Sequence, residues 1–210
     1  MALTKVKNRL ITDAAANVKD FGAVGDGATD DTTAFQACAT SLLSTGGTLY
    51  IPKGNYKLTA TISVPDNVLV NGEGHDTLLS FYSASSNYFG ISFYGGSPWN
   101  PNITTNGKMG VSNLRIDGSN LTMDLFARGA IRFYIVRSAI CENVRIENWQ
   151  GVGFMLDSSA DITIKNCYVY RSYEHSFYLS GHYATGGDVF TGEGGHKILN
   201  NAIVESGYNS

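Results

Sequence analysis

Short runs of alternating apolar and polar residues recur in the second half of this chain, and each run follows an asparagine. Alternation with a period of two residues is typical of a β-strand that buries one face. The runs begin at four asparagines, at intervals of 30, 23 and 35 residues: Asn113, Asn143, Asn166 and Asn201. The first and third residues after each asparagine are apolar and are expected to point inward: Leu114 and Ile116, Val144 and Ile146, Cys167 and Val169, and Ala202 and Val204.

A second strand-like segment recurs between these runs, at residues 129–133, 151–155 and 175–179. A constant internal pattern at unequal intervals is typical of a solenoid whose coils carry loops of different length. Residues 95–110, rich in glycine and proline, are expected to form one such loop. The asparagine of each coil is expected to donate an amide hydrogen bond to the next coil, which satisfies polar groups inside a narrow solenoid.

The N-terminal part has a different pattern, in which three glycines precede an amphipathic segment. Glycines in the segment Lys19–Ala37 supply the backbone freedom of a tight turn. Asp30 or Asp31 is positioned to accept N–H groups at the start of a helix. The helix would bury one face, formed by Phe35, Cys38 and Leu42.

This glycine-rich string resembles the opening of the pectate-lyase-like right-handed parallel β-helix family, and especially its bacteriophage tailspike members. Residues Gly47–Tyr56 look like the first strand of that family and its proline-glycine turn. The resemblance implies an all-β fold, a right-handed parallel β-helix with a short N-terminal arm and a capping α-helix. It assigns residues 1–17 to an arm for attachment to the tail, 18–46 to the turn and helix, and 47–210 to the coils.

The composition excludes several classes of protein. With a formal net charge of −3 and no basic stripe, the chain is not expected to bind nucleic acid. It has no run of 18 apolar residues, and its first residues lack the apolar core of a secretion signal. We therefore expect no membrane insertion, synthesis in the host cytoplasm and a place in the virion tail. Three cysteines without metal spacing are expected to be buried thiols: Cys38, Cys141 and Cys167.

Residues between the inward positions are expected to face outward, and they include charged and aromatic side chains. Because coils stack at about 4.8 Å, Asp117 and Glu147 are expected about 5 Å apart, and Glu147 and Glu205 about 9.5 Å apart. These distances match the carboxylate separations of glycosidases, about 5–5.5 and 6.5–9.5 Å. Asp117, Glu147 and Glu205 are therefore candidate catalytic residues. The candidate substrate-binding residues are two arginines, which could also act as the base of a lyase, and three aromatic residues: Arg115, Arg145, Trp149, Tyr168 and Tyr170.

Two other interpretations of this outer strand remain open. A solvated strand also carries mixed charges, and exposed ion pairs contribute only about 0–1 kcal/mol. In a trimer, the same strand could form the subunit contact. A further set of polar residues, Glu174, His175, His182, Asp188, Glu193 and His196, has irregular spacing, so neither a metal site nor a cofactor is expected.

The resulting hypothesis is a bacteriophage tailspike or tail-fibre protein that recognises host surface polysaccharide, with depolymerisation of that polysaccharide as an additional activity to test. Its expected partners are two further copies of itself in a homotrimer, a tail or baseplate protein bound by the N-terminus, and the polysaccharide. One alternative is a non-catalytic structural or adaptor protein of the virion tail. The other, a cellular polysaccharide lyase or glycosidase, is disfavoured because the polygalacturonase motifs of the superfamily are absent.

Overall fold

The structure is a computed structural model that describes residues 15–83, 88–95, 109–122, 129–180 and 195–205. Most of the predicted arm and most of the predicted 95–110 loop lie outside the described residues. The last five residues, and His182, Asp188 and Glu193 of the predicted polar set, lie outside them as well.

Within these residues the chain forms a 3-10 helix at Val18–Phe21, one α-helix, α1, at Thr32–Ser41, and short strands elsewhere. The strands, in chain order, are β1 Ala15–Asn17, β2 Asp26–Asp30, β3 Gly47–Ile51, β4 Gly54–Leu58, β5 Ile62–Val64, β6 Val68–Gly72, β7 Thr77–Ser83, β8 Ile91–Tyr94, β9 Met109–Leu121, β10 Gly129–Tyr134, β11 Arg137–Glu147, β12 Val152–Asp157, β13 Ala160–Lys165, β14 Tyr168–Tyr170, β15 Phe177–Ser180, β16 Lys197–Leu199 and β17 Ala202–Val204.

The strands form two parallel sheets that run along the solenoid. Sheet A has the order β1-β3-β6-β9-β11-β13-β16, with β2, β4, β7, β14 and β17 joined to it. Sheet B has the order β5-β8-β10-β12-β15. Successive coils contribute strands to both sheets and pair in parallel with the coils before and after them. This architecture confirms the predicted all-β parallel β-helix, with the right-handed crossovers expected of parallel strands.

The capping helix is confirmed, with Phe35, Cys38 and Leu42 buried. The two aspartates before it have different roles. Asp30 accepts the backbone N–H of Thr32 at 3.0 Å, as predicted for a helix start. The buried Asp31 carboxylate instead accepts the N–H groups of Val24 and Gly25, at 2.6 and 3.0 Å, and so holds the glycine-rich turn against the helix.

The first described residues, 15–17, lie within the predicted arm. Residues 15–17 form β1, which pairs with β3 in register, so they already belong to the first coil. The side chain of Asn17 then accepts the N–H of Lys19 at 2.9 Å and starts the 3-10 helix. The solenoid therefore begins by residue 15.

The asparagine ladder is present and begins one coil earlier than predicted. Asn113 donates its amide to Asn71 Oδ1 at 3.0 Å, and Asn143 donates to Asn113 Oδ1 at 2.9 Å. Asn113, Asn143 and Asn166 all adopt a left-handed backbone conformation, with φ between 53° and 56°. Asparagine tolerates this conformation, which turns the chain at the corner of each coil.

The predicted alignment of the last coil is wrong by one residue. Tyr168 pairs with Ala202 and Tyr170 with Val204, so the counterpart of Asn166 is Asn200, which also has a positive φ of 53°. Asn201 instead accepts the N–H of Cys167 at 2.8 Å. The inward positions of the earlier coils are confirmed as buried, whereas Ala202 and Val204 are exposed.

Candidate functional site

The outer face of sheet A brings together most of the residues that the sequence selected. Register pairs Asp117 with Glu147 and Arg115 with Arg145, on adjacent strands β9 and β11. The predicted pairing of these positions on adjacent strands is therefore confirmed. We call Arg115, Arg145, Glu147, Tyr168 and Tyr170 the sheet A patch.

Both carboxylates on this face are already engaged. Glu147 is mostly buried, accepts a hydrogen bond from Arg145 Nε at 2.5 Å and lies 3.9 Å from Arg115 Nη1. Asp117 accepts hydrogen bonds from Ser119 Oγ at 2.5 Å and from Asn148 Nδ2 at 3.0 Å. Each carboxylate would have to exchange one of these partners for a substrate before it could transfer a proton.

The third predicted acid, Glu205, does not lie in line with the other two. Glu147 pairs with Tyr170 and Tyr170 with Val204, so the one-residue shift moves Glu205 past the strand. There it accepts a hydrogen bond from Arg171 Nε at 2.6 Å, and both side chains are about half exposed. The expected two-rung separation of Glu147 and Glu205 is therefore wrong.

Trp149 was expected to offer its ring to a sugar, but the structure buries it completely. Its ring packs edge-on against Phe81, with ring centroids 5.5 Å apart, and stacks with Tyr88 at 6.4 Å. The preceding residue, Asn148, has a φ of 52° and turns the chain at this point. Trp149 is thus part of the hydrophobic core, and it is not available to bind a substrate at the surface.

The two tyrosines of the sheet A patch are partly exposed and lie side by side, with ring centroids 6.4 Å apart. Arg145 lies over the Tyr168 ring at 4.6 Å, and Arg171 over the Tyr170 ring at 4.8 Å. Such cation–π contacts fix both the arginines and the rings. The patch therefore combines flat aromatic surface with N–H donors held in place.

Sheet B carries a second polar and aromatic cluster on its outer face, which the sequence did not select. Register aligns Tyr94, Tyr134, Asp157 and Ser180 on strands β8, β10, β12 and β15. Together with Arg132 we call these residues the sheet B cluster. The rings of Tyr94 and Tyr134 are 5.5 Å apart, and half of Tyr94 is exposed.

Arg132 is the centre of the sheet B cluster. Its Nη2 donates to Asp157 Oδ2 at 2.9 Å, and its guanidinium lies over the rings of Phe89 and Tyr134 at 4.5 and 4.2 Å. Asp157 is buried and also accepts a hydrogen bond from Ser180 Oγ at 3.0 Å. Partial burial, together with the Asp157 carboxylate, raises the pKa of the Tyr134 hydroxyl, so Tyr134 stays a neutral donor.

A clue to this cluster was present in the sequence. The segments at 129–133, 151–155 and 175–179 were predicted as strands, but each strand continues one or two residues further. The last residues of these strands are Tyr134, Asp157 and Ser180. The predicted segments align Gly129 with Gly151, but Gly129 pairs with the next residue, Val152.

The described residues contain no group of three or more histidine, cysteine or acidic side chains that could hold a metal ion. Of the predicted polar set, His175 stacks on Tyr178 at 6.1 Å, and His196 accepts the N–H of Ile162 at 3.3 Å. All three cysteines are buried free thiols, as predicted. No helix in the described part of the chain is long and apolar enough to cross a membrane.

Comparison with known proteins gives a consistent picture of the fold. The family of rhamnogalacturonase A/epimerase, pectate lyase-like proteins matches residues 15–208. Among solved structures, the A-module of mannuronan C-5 epimerase AlgE6 from Azotobacter vinelandii superimposes with a TM-score of 0.63 and 22% identity. That match covers 89% of this chain and 55% of the module.

Two kinds of relative are similar in sequence. Mannuronan C5-epimerase AlgE3 of Azotobacter vinelandii is 32% identical over 156 residues, which is 66% of this chain and 8% of the epimerase. The pre-neck appendage protein of Bacillus phage B103 is 30% identical over 108 residues, 51% of this chain and 11% of the phage protein. The chain thus spans about a tenth of the length of these relatives.

Proposed function

Since this chain belongs to the family of rhamnogalacturonase A/epimerase, pectate lyase-like proteins, we propose that it is a bacteriophage tail protein that recognises a polysaccharide on its host. The similarity to a phage pre-neck appendage protein supports a place in the virion tail. The similarity to epimerases that are named for a polysaccharide, mannuronan, supports a glycan as the ligand. A phage tail protein that recognises a polysaccharide combines these two lines of support.

The observation that carries this proposal is the arrangement of the sheet A patch. Tyr168 and Tyr170 present partly exposed rings on which sugar faces stack, and the arginines beside them supply fixed N–H donors. Flat apolar faces bordered by a few oriented polar groups are the general form of a small-molecule site. An elongated solenoid repeats such groups along its axis, which suits a linear polymer.

Depolymerisation is a further activity that the same face would support. Asp117 and Glu147 lie on adjacent strands, whose spacing of about 4.8 Å is close to the 5–5.5 Å of retaining glycosidases. In that mechanism Glu147 would release Arg145 or Arg115 as the substrate enters. A purely structural role in the tail is the second candidate, and it is favoured by the ion pairs and hydrogen bonds that already hold both carboxylates.

We also propose a homotrimer that attaches to a tail or baseplate protein through its N-terminal residues. Three parallel solenoids would present three copies of each surface to the host, which raises avidity for a repeating polymer. The mass in solution, measured by light scattering, tests the trimer directly. A mass of 22.6 kDa, that of one chain, would refute it.

The function itself is tested by incubating the purified protein with capsule and lipopolysaccharide from candidate host bacteria. Binding is followed by calorimetry, and cleavage by new reducing ends and by ultraviolet-absorbing unsaturated ends. Reducing ends alone indicate a hydrolase, and both signals together indicate a lyase. Binding without either signal indicates recognition only, and no binding across the panel leaves the structural role.

The variant Glu147→Gln tests the catalytic assignment. If Glu147 transfers a proton, the variant loses at least 100-fold in cleavage rate, the contribution typical of acid–base catalysis, and keeps its binding. Glu142→Gln is the control, because Glu142 lies on the same strand and also loses an ion pair, with Lys165 at 3.0 Å, at a more exposed position. Equal cleavage by the two variants would remove Glu147 from the mechanism.

A further inference from the structure

We infer that one outer face of the solenoid is the surface by which copies of this chain associate, side by side around an axis parallel to the solenoid. The face belongs to sheet A but lies apart from the sheet A patch, because the left-handed asparagines turn the chain between the two. It is built on one row of outward positions, which we call the uncharged strip: Ala15, Thr48, Leu69, Gly110, Ile140 and Thr163. The number of copies rests on the proposed homotrimer, whereas the choice of face comes from the geometry of sheet A.

The first argument is the register of the uncharged strip. Its members are parallel partners on six successive strands, from β1 to β13. Five steps of about 4.8 Å make the strip about 24 Å long. The residue that follows each member in its strand is buried, so the members themselves face outward. Ala15 and Ile140 are exposed, and Thr48, Leu69 and Thr163 are partly exposed. A continuous outer surface without charge therefore runs along the solenoid.

The second argument is the symmetry of an assembly of identical chains. Around an axis parallel to the solenoid, each residue near the axis faces its own copies at the same height. A charged residue there would face the same charge, which opposes association. The other outer face of sheet A would bring together copies of Arg115 and Arg145, and sheet B would bring together copies of Arg132. The uncharged strip avoids this repulsion, and a core depleted of charge is typical of interfaces.

The third argument is charge complementarity at the borders of the strip. In the coil of β11, Arg137 lies before the strip and Glu142 after it. In the coil of β13 the order of charges is reversed, with Asp161 before the strip and Lys165 after it. Rotation about the axis places the leading border of one copy against the trailing border of the next, at the same height. Arg137 would then meet Glu142 of the next copy, and Asp161 would meet Lys165 of the next copy.

Light scattering on the purified full chain measures this association. The wild type is expected at three times the mass of one chain, which is 22.6 kDa. Ile140→Glu places like charges around the axis and is expected to raise the dissociation constant by roughly 100-fold. Tyr178→Glu is the matched control, because Tyr178 is 40% exposed against 38% for Ile140 but lies on sheet B. This control is expected to associate like the wild type.

A charge exchange tests the borders of the strip. Asp161→Lys would place two lysines against each other and is expected to weaken association by roughly 10-fold. The double variant Asp161→Lys/Lys165→Asp restores opposite charges between copies and is expected to recover association to within about threefold of the wild type. A role of Asp161 within its own chain alone predicts no such recovery. Circular dichroism and thermal unfolding establish that each variant is folded.

Crosslinking gives a second measurement that leaves the contact undisturbed. Thr163→Cys introduces a partly exposed thiol on the strip, whereas the three native thiols are buried. A short bismaleimide is expected to join this thiol to the same position of another copy. Tyr178→Cys, on sheet B, is expected to remain uncrosslinked.

The outcomes distinguish this inference from the proposed function. A wild type with the mass of one chain would overturn both the uncharged strip and the homotrimer, and polysaccharide recognition would still stand or fall by its own binding test. Association that survives Ile140→Glu would overturn the strip and leave the homotrimer intact. If Ile140→Glu does not fold, Thr163→Cys decides, and an absence of crosslinks in an associated protein would overturn the strip.

Discussion

Substitution of Asn143 by alanine tests the asparagine ladder, the feature that connects the sequence repeat to the fold. Asn143 donates its amide to Asn113 Oδ1 at 2.9 Å and has a left-handed backbone, with a φ of 54°. Alanine removes the hydrogen bond, whose net contribution is about 0.5–1.5 kcal/mol. It also places an ordinary side chain in the left-handed region, at a cost of about 1 kcal/mol. The free energy of unfolding should therefore fall by about 2 kcal/mol.

Thermal unfolding followed by circular dichroism measures this loss. For a chain of this length, 1 kcal/mol corresponds to about 2–4 °C, so Tm should fall by about 4–8 °C. Asn67→Ala is the matched control, because Asn67 is exposed and has a similar φ of 61° but lies outside the ladder. It should lose only the backbone contribution, about 2–4 °C. If the two variants melt at the same temperature, the ladder bond contributes nothing and the reasoning is refuted.

Three further predictions follow from buried groups. Trp149→Ala should lower the free energy of unfolding, measured in urea, by about 3–5 kcal/mol, because it leaves a cavity in the core. The fraction that remains folded should still bind glycan. A variant that is as stable as the wild type but no longer binds glycan would restore the surface role of Trp149. Gly110→Ala should either fail to fold or unfold at a much lower urea concentration, since the new Cβ would lie 1.8 Å from Ile140 O. In the control variant Gly74→Ala the new Cβ meets no atom within 4 Å, so the loss of stability should be much smaller. Similar urea midpoints for the two variants would contradict this packing. Burial raises the pKa of Cys38 to about 12 and of Cys167 to about 11. Because these thiols ionise near pH 9 in the unfolded chain but not in the folded one, the free energy of unfolding should fall as the pH rises above 9. This fall with pH should be less steep in Cys38→Ala. The same dependence on pH in the variant and the wild type would refute a role for Cys38.

The fold was predictable because its signals are local. Alternation after each asparagine reports which side chains face the core, and a left-handed asparagine marks the corner of a coil whatever its neighbours are. The capping helix was likewise determined by its own residues, from Asp30 at its start to the buried face of Phe35 and Cys38. Such signals do not depend on how distant segments align.

The candidate site depended on alignment and was only partly predictable. Asp117 and Glu147 follow equivalent asparagines, so their pairing was correctly predicted. The doublet Asn200–Asn201 offers two local choices, and only pairing with β14 selects Asn200. A shift of one residue reverses which side chains face outward, and so it moved Glu205 out of line.

By itself, the sequence determined that this protein is a parallel β-helix, where its helix lies, and that its three thiols are buried. The tertiary structure alone decided that Trp149 lies in the core and that Tyr94, Tyr134, Asp157 and Ser180 form one row. The physical reason is that burial and register arise from contacts between coils. Those contacts join residues more than 20 positions apart, and alternation within a single strand does not record them.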